Sequence, residues 1–243
     1  MYNIWALPQK TYRDRVDAGQ QLAKDPRITA FACPQNEEPK AVILALPRGG
    51  VPVAYEIAKQ NNLPLDLMLV RKIGIPMHEE TAMGAIAMHD VVYLNKDFIR
   101  RMQISQKAVQ QVIDRESIEL DRRNKAYRGG RPYPDLKGKT VLIVDDGVAT
   151  GATMKAAILA VQQLYPQKVV GVAPVGAPDS VSDLAKVADE MLVPHTPEMF
   201  SAVGQWYASF PQTDDKEVLE LLTKAEKFGH PTVNRNSQSE ILA

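Results

Sequence analysis

Cysteine is almost absent from this chain: Cys33 is the single one among 243 residues. No internal disulfide can form, which suits a reducing compartment. An excess of either charge is missing too. Lys plus Arg and Asp plus Glu both number 29, a formal net charge of zero. The bulk attraction that drives non-specific nucleic-acid binding is therefore lacking, and no nucleic-acid partner is expected. No apolar run approaches the ~20 residues that a membrane span needs. The first ten residues lack the charged-then-apolar layout of a signal peptide. The expectation is a cytoplasmic chain with no membrane partner. His78 and His89 stand alone, outside any metal-ligand spacing. Cys33 has no histidine close in sequence and reads as inert.

What is present centres on one stretch, Val141-Leu142-Ile143-Val144-Asp145-Asp146-Gly147-Val148-Ala149-Thr150-Gly151-Ala152-Thr153. Four apolar, mostly β-branched residues predict a strand buried on both faces. Two carboxylates follow at its C-terminal end, then a turn of small residues and a helix over residues 154–164. Ligands bind at the carboxyl ends of strands in open α/β sheets. A turn opening a helix exposes N–H groups that favour an anion. The stretch thus offers a phosphate cradle beside two acceptors suited to the vicinal hydroxyls of a ribose 5-phosphate. A dinucleotide fingerprint needs three spaced glycines, and only Gly147 and Gly151 are here. A P-loop fails as well: Tyr133 holds the first glycine's place ahead of Gly138-Lys139-Thr140, and the lysine precedes the strand. A phosphoacceptor receiver domain would need an Asp closing its third strand, where Pro194-His195 stand.

The rest of the chain alternates in the same way. Residues 12–23 predict a short helix covering one edge of the core. A buried strand over 41–46 runs into Pro47-Arg48-Gly49-Gly50 and a helix over 51–60, a second turn able to take an anion. Pro52 falls in that helix's first turn, where its missing N–H costs nothing. A strand over 65–70 ends in Arg71-Lys72, and residues 77–81 are polar. Residues 91–94 form a short strand. Helices are expected over 95–102 and 105–127, the second opening on Ser105 as N-cap and stopped by Gly129-Gly130. Val109, Val112, Ile113 and Leu120 mark its apolar face. Arg128 and Arg131, flanking those glycines, are candidates for an anionic ligand. Strands over 168–175 and 191–193 flank a helix over 178–187, and a last helix covers 215–227. Strands alternating with helices imply a parallel sheet with helices on both faces. Aromatics are only 6% of the chain, yet they gather over residues 197–210. Stacking on a planar base and core packing explain Trp206 and Tyr207 equally well.

The central stretch resembles the phosphoribosyl-pyrophosphate (PRPP) motif of the type I phosphoribosyltransferases. Across residues 13–222 the chain is similar to a group of them sharing Pro-Arg-Gly-Gly, Arg-Lys, Tyr-Arg-Gly-Gly-Arg-Pro, Asp-Asp-Gly-x-Ala-Thr-Gly-Ala-Thr and Ala-Val-Gly-x-Trp-Tyr. The resemblance implies that fold: a Rossmann-like parallel sheet over residues 1–228, a helical insertion at about 95–130, and a small hood from the N-terminus and about 195–212. Residues 229–243 read as a disordered tail. It also implies transfer of the 5-phosphoribosyl group from PRPP, with Mg²⁺ carried by the PRPP, to a nitrogen acceptor, with release of pyrophosphate. A PRPP-binding sensor of low turnover is the alternative. Asp145, Asp146, Arg71 and Lys72 would act catalytically. Arg48, Gly49 and Gly50 would meet the pyrophosphate, and Val148, Ala149, Thr150, Gly151, Ala152 and Thr153 the 5-phosphate. Trp206 and Tyr207 would meet the acceptor. A mobile loop is implied at 77–81, and a homodimer is expected. Ala149 stands where many 6-oxopurine enzymes carry an Asp, which weakens a hypoxanthine or guanine assignment and leaves the base open.

Overall fold

The strands whose residues are apolar without alternation end up buried on both faces, as that pattern requires. The computed structural model describes residues 11–76, 78–88 and 91–229; His89 and the proposed tail from 230 onward lie outside them. In chain order the elements are α1 (Arg15–Leu22), α2 (Pro26–Thr29), β1 (Ala41–Ala45), α3 (Gly50–Asn61), β2 (Leu65–Leu67) and β3 (Val70–Ile75). Then come β4 (His78–Ala87), β5 (Val91–Leu94), α4 (Lys96–Arg101), α5 (Gln106–Arg128), β6 (Thr140–Val144) and α6 (Ala152–Gln162). Last are β7 (Lys168–Val172), α7 (Pro178–Leu184), β8 (Glu190–Leu192), a 3₁₀ turn (Val203–Trp206) and α8 (Asp215–Ala225).

Five strands form one parallel sheet in the order β2-β1-β6-β7-β8. Every residue of β1 and β6 is buried. Ala45 pairs with Val144, so β1 and β6 end level with each other. The turn into α3 and the turn into α6 are therefore neighbours at one edge of the sheet.

The strand expected over 65–70 is two strands in two sheets. After Leu67 the chain buries Met68 and Leu69, and Met68 N–H donates to the Ala45 carbonyl. From Val70 it runs into a separate antiparallel sheet, β3-β4-β5. Arg71 and Lys72 thus sit inside β3 instead of at the end of a strand of the parallel sheet. The implied loop at 77–81 gives way from His78 onward to β4, while Met77 lies outside the described residues. The strand expected over 168–175 stops at Val172; beyond it, Val175 and Gly176 make only isolated bridges to His195 and Val148.

The long helix α5 has the expected ends. Ser105 Oγ accepts from the Ala108 N–H at 3.2 Å, and Gly129 takes a left-handed φ of 59° at the C-terminus. Its 23 residues span about 35 Å. One face buries Val109, Val112, Glu116 and Leu120, packing against the small sheet. A second apolar cluster joins Tyr12, Ala18, Val175, Trp206 and Tyr207. There the N-terminal segment pairs with the 3₁₀ turn: Tyr12 N–H donates to the Trp206 carbonyl, and Ala208 N–H to that of Tyr12.

Candidate active site

β6 delivers two carboxyl groups at its C-terminal end. Asp145 N–H is still in the sheet, donating to the Val172 carbonyl at 3.1 Å. Asp145 Oδ1 accepts from the Asp146 N–H at 2.8 Å. Burial and the neighbouring Asp146 charge push the Asp145 carboxyl well above the usual carboxylate range. Burial also raises Asp146, against the opposing pull of Arg15.

The turn after the acids is braced by backbone. Val148 is buried, its N–H donating to the Val175 carbonyl and its carbonyl accepting from Ala177. Ser180 Oγ donates to the Ala149 carbonyl at 2.6 Å. Gly151 takes φ +70°, which side chains rarely adopt, and turns the chain into α6. Ala149 and Thr150 are left exposed. The result is a pocket of about 150 Å³ walled by Asp145 and residues 147–154, over the first turn of an 11-residue helix. The N–H groups of that first turn, of which Ala152 N–H donates to Thr150 Oγ1 at 3.4 Å, and the small walls suit a phosphate. A pocket of about 280 Å³ shares Thr150, Ala152 and Thr153 with it and adds Lys72. Lys72 therefore reaches the same loop from the antiparallel sheet.

Gly49 and Gly50 close the other side. A Cβ on Gly50 would lie 2.5 Å from the Val144 carbonyl oxygen, and one on Gly49 1.9 Å from Asp146 Oδ2. Only glycine lets this turn, which contains a cis Pro47–Arg48 peptide, approach the acids so closely. Arg48 sits on the same turn, its Nη1 3.5 Å from Asp215 Oδ1 on α8, which also accepts from the Tyr127 hydroxyl at 2.6 Å.

Three expectations need correction. Arg71 does not point freely at the cradle: it is held by Glu116 of α5, Nε and Nη2 lying 2.8 and 2.7 Å from Oε2. Glu116 sits on the buried face of its helix, so it requires a cation there. Trp206 and Tyr207 do not present a face to a base. They are 6% and 1% exposed. Trp206 meets the His195 ring edge-on at 4.6 Å, and the Tyr207 hydroxyl donates to the Asp146 carbonyl at 2.6 Å. Core packing won because the Tyr12 segment covers them. Arg128 is likewise unavailable to a ligand. Its five donors all have partners: Asp66 twice, Asn124, and the Arg131 and Pro132 carbonyls.

Sequence reasoning missed Arg15, whose Nε donates to Asp146 Oδ2 at 2.7 Å. Nothing near it in the chain signals this. Glu116 did leave a signal: a lone carboxylate, four residues from both Val112 and Leu120, inside an apolar stripe.

The family model described as a phosphoribosyl transferase domain matches residues 13–205. The chain belongs to that family. A Mycobacterium tuberculosis protein, provisionally named a phosphoribosyl transferase in two strains, is 44% identical over 218 residues, 90% of this chain and 48% of its own length. The chain thus spans about half the length of the curated relatives it matches. The crystal structure of TT1426 from Thermus thermophilus superposes with a TM-score of 0.77 at 37% identity, covering 88% of this chain and 98% of that one. The parallel sheet with flanking helices is this phosphoribosyl transferase domain's core. Among the described residues no helix is long and apolar enough to cross a membrane.

The raised Asp145 carboxyl has a consequence for stability. The folded state holds this proton more tightly than the unfolded chain, whose carboxyl titrates near 3.8. Its contribution is complete below that pH and is lost as pH rises toward the elevated folded value. Asp145→Asn removes the charge while keeping an acceptor for the Asp146 N–H. Its thermal midpoint should exceed the wild type's, by a margin that widens upward from about pH 4 and then levels off. Thermal unfolding of both proteins across pH checks this; a margin that shrinks as pH rises contradicts it.

Proposed function

We propose that this domain transfers the 5-phosphoribosyl group from PRPP to a ring nitrogen of a nucleobase, releasing pyrophosphate. The observation that carries the reading is adjacency: one turn joins a phosphate-sized cradle to two half-buried carboxyl groups at a strand end. The 5-phosphate would take the α6 N-terminus and the Thr150 and Thr153 hydroxyls. The ribose hydroxyls would then reach Asp145 and Asp146. Those acids would also face the sugar as it gains positive charge on C1–O cleavage. Arg48 and Lys72 would meet the diphosphate from two sides. Arg71 would join them only by exchanging Glu116 for the ligand.

A divalent cation bound to substrate phosphates needs one or two protein carboxylates and keeps several waters. Asp145 and Asp146 beside the cradle fit that need. Mg²⁺ bound there would supply charge neutralisation for the leaving diphosphate. Orientation of the sugar between fixed groups would carry much of the rate.

One observation favours a second reading, a PRPP-binding sensor of low turnover: Arg71 is spent on Glu116. A single assay separates the two. Pyrophosphate release from Mg-PRPP is measured with pooled purine and pyrimidine bases and without base. Base-dependent release supports transfer. PRPP binding by calorimetry without release supports the sensor. Neither binding nor release would sink both.

A further inference from the structure

Arg15 belongs to none of the sequence motifs, yet its guanidinium joins four parts of the site. Nε donates to Asp146 Oδ2 at 2.7 Å, and Nη1 donates to the Pro211 carbonyl at 2.6 Å. The guanidinium carbon lies 3.7 Å from the centre of the Phe210 ring. A Cβ on Gly49 would meet both Asp146 Oδ2 and Arg15 Nε, at 1.9 and 3.3 Å. One side chain therefore ties α1 and the 206–211 segment to the glycine turn before α3 and to the acidic end of β6.

The pair is secluded, with side-chain exposures of 11% and 15%. An ion pair of this kind is weak grounds for stability, because desolvation offsets much of its attraction. It is better suited to orienting a group. An aspartate can turn about its side-chain torsions; Arg15 on one side and the Gly49 backbone on the other leave Asp146 little choice. The guanidinium is itself fixed by Phe210 and Pro211, so it is a rigid support rather than a flexible tether. The other ionisable groups facing Asp146 are Asp145 and Tyr207. Neither can replace a cation.

We propose that Arg15 is a positioning residue of the phosphoribosyl site: it locks the Asp146 carboxylate in the orientation the ribose hydroxyls require, and couples that orientation to the docking of the 206–211 segment. The proposal rests on the phosphoribosyl reading above.

The test compares wild type, Arg15→Ala and Arg15→Lys in pyrophosphate release from Mg-PRPP, with thermal unfolding alongside. Arg15→Ala should lose about tenfold or more in kcat, since displacing a catalytic group by an ångström can cost a hundredfold. Its KM for PRPP should change less, and added guanidinium ion should restore part of the rate. Arg15→Lys, which keeps the charge but lacks the planar fork, should fall between the two. An Arg15→Ala enzyme as fast as wild type overturns the proposal. So does a loss that follows a lowered thermal midpoint and does not respond to guanidinium. Where wild type binds PRPP without turnover, calorimetric affinity takes the place of rate, and unchanged affinity in Arg15→Ala overturns the proposal alone. A wild type that neither binds nor reacts overturns the phosphoribosyl reading, and this proposal with it.

Discussion

Asp146→Asn should lower kcat/KM for pyrophosphate release from Mg-PRPP by about a hundredfold, on the order of 3 kcal/mol of transition-state stabilisation. The substitution preserves shape and leaves an oxygen that can accept from Arg15 Nε, now 2.7 Å from Oδ2. The Tyr207 hydroxyl bonds the Asp146 backbone carbonyl and is indifferent to the change. The fold and the contacts of the 206–211 segment should therefore persist, and circular dichroism with thermal unfolding verifies this. What disappears is the negative charge that the proposed transfer would set beside a sugar turning cationic as its diphosphate departs. The effect should fall on kcat more than on the KM for PRPP, because the charge matters most in the transition state. Activity within twofold of wild type would remove Asp146 from the mechanism.

Arg128→Ala should cost about 3–5 kcal/mol of stability. Arg128 is among the largest fully buried side chains. Its Nε and Nη2 make a paired bond to the Asp66 carboxylate at 2.7 and 2.6 Å, and it stacks 3.5 Å from the Tyr133 ring centre. Truncation leaves Asp66 without its cation and the Arg131 and Pro132 carbonyls without that donor. It also removes the clamp between the end of α5 and the edge strand β2. For a domain of this size the thermal midpoint should drop by roughly 10 °C. Arg128→Lys should recover little, since a single ammonium cannot reproduce five donors in a plane. Urea unfolding of the three proteins measures the effect, and a loss below about 1 kcal/mol would be incompatible with the contacts described.

Much of the site was legible because its signals are local. The apolar run Val141–Val144 with two acids and a small-residue turn is a strand, a ligand-facing edge and a helix start within thirteen residues. The same holds for Pro47-Arg48-Gly49-Gly50 before α3, and for α5 between Ser105 and Gly129. Capping, periodicity and turn chemistry act over a few residues, so they can be read along the chain. Resemblance to a family then supplied a reaction that periodicity alone could not.

Other features depended on which surfaces meet. Nothing in residues 65–75 announces that the chain leaves one sheet for another after Leu67. An aromatic cluster reads alike whether it stacks on a base or fills a core; the docking of Tyr12 onto Tyr207 decided it. The arginines show the division most clearly. Local pattern alone puts Arg48 on a glycine turn at a strand end, and Asp145 and Asp146 at the end of a buried strand. Only the tertiary structure decided that Arg15 holds Asp146 across 131 positions, that Arg71 is held by Glu116 across 45, and that Arg128 is consumed by Asp66 across 62. A buried charge needs a partner wherever packing brings one within about 3 Å, and that choice is made by the fold rather than by neighbours in the chain.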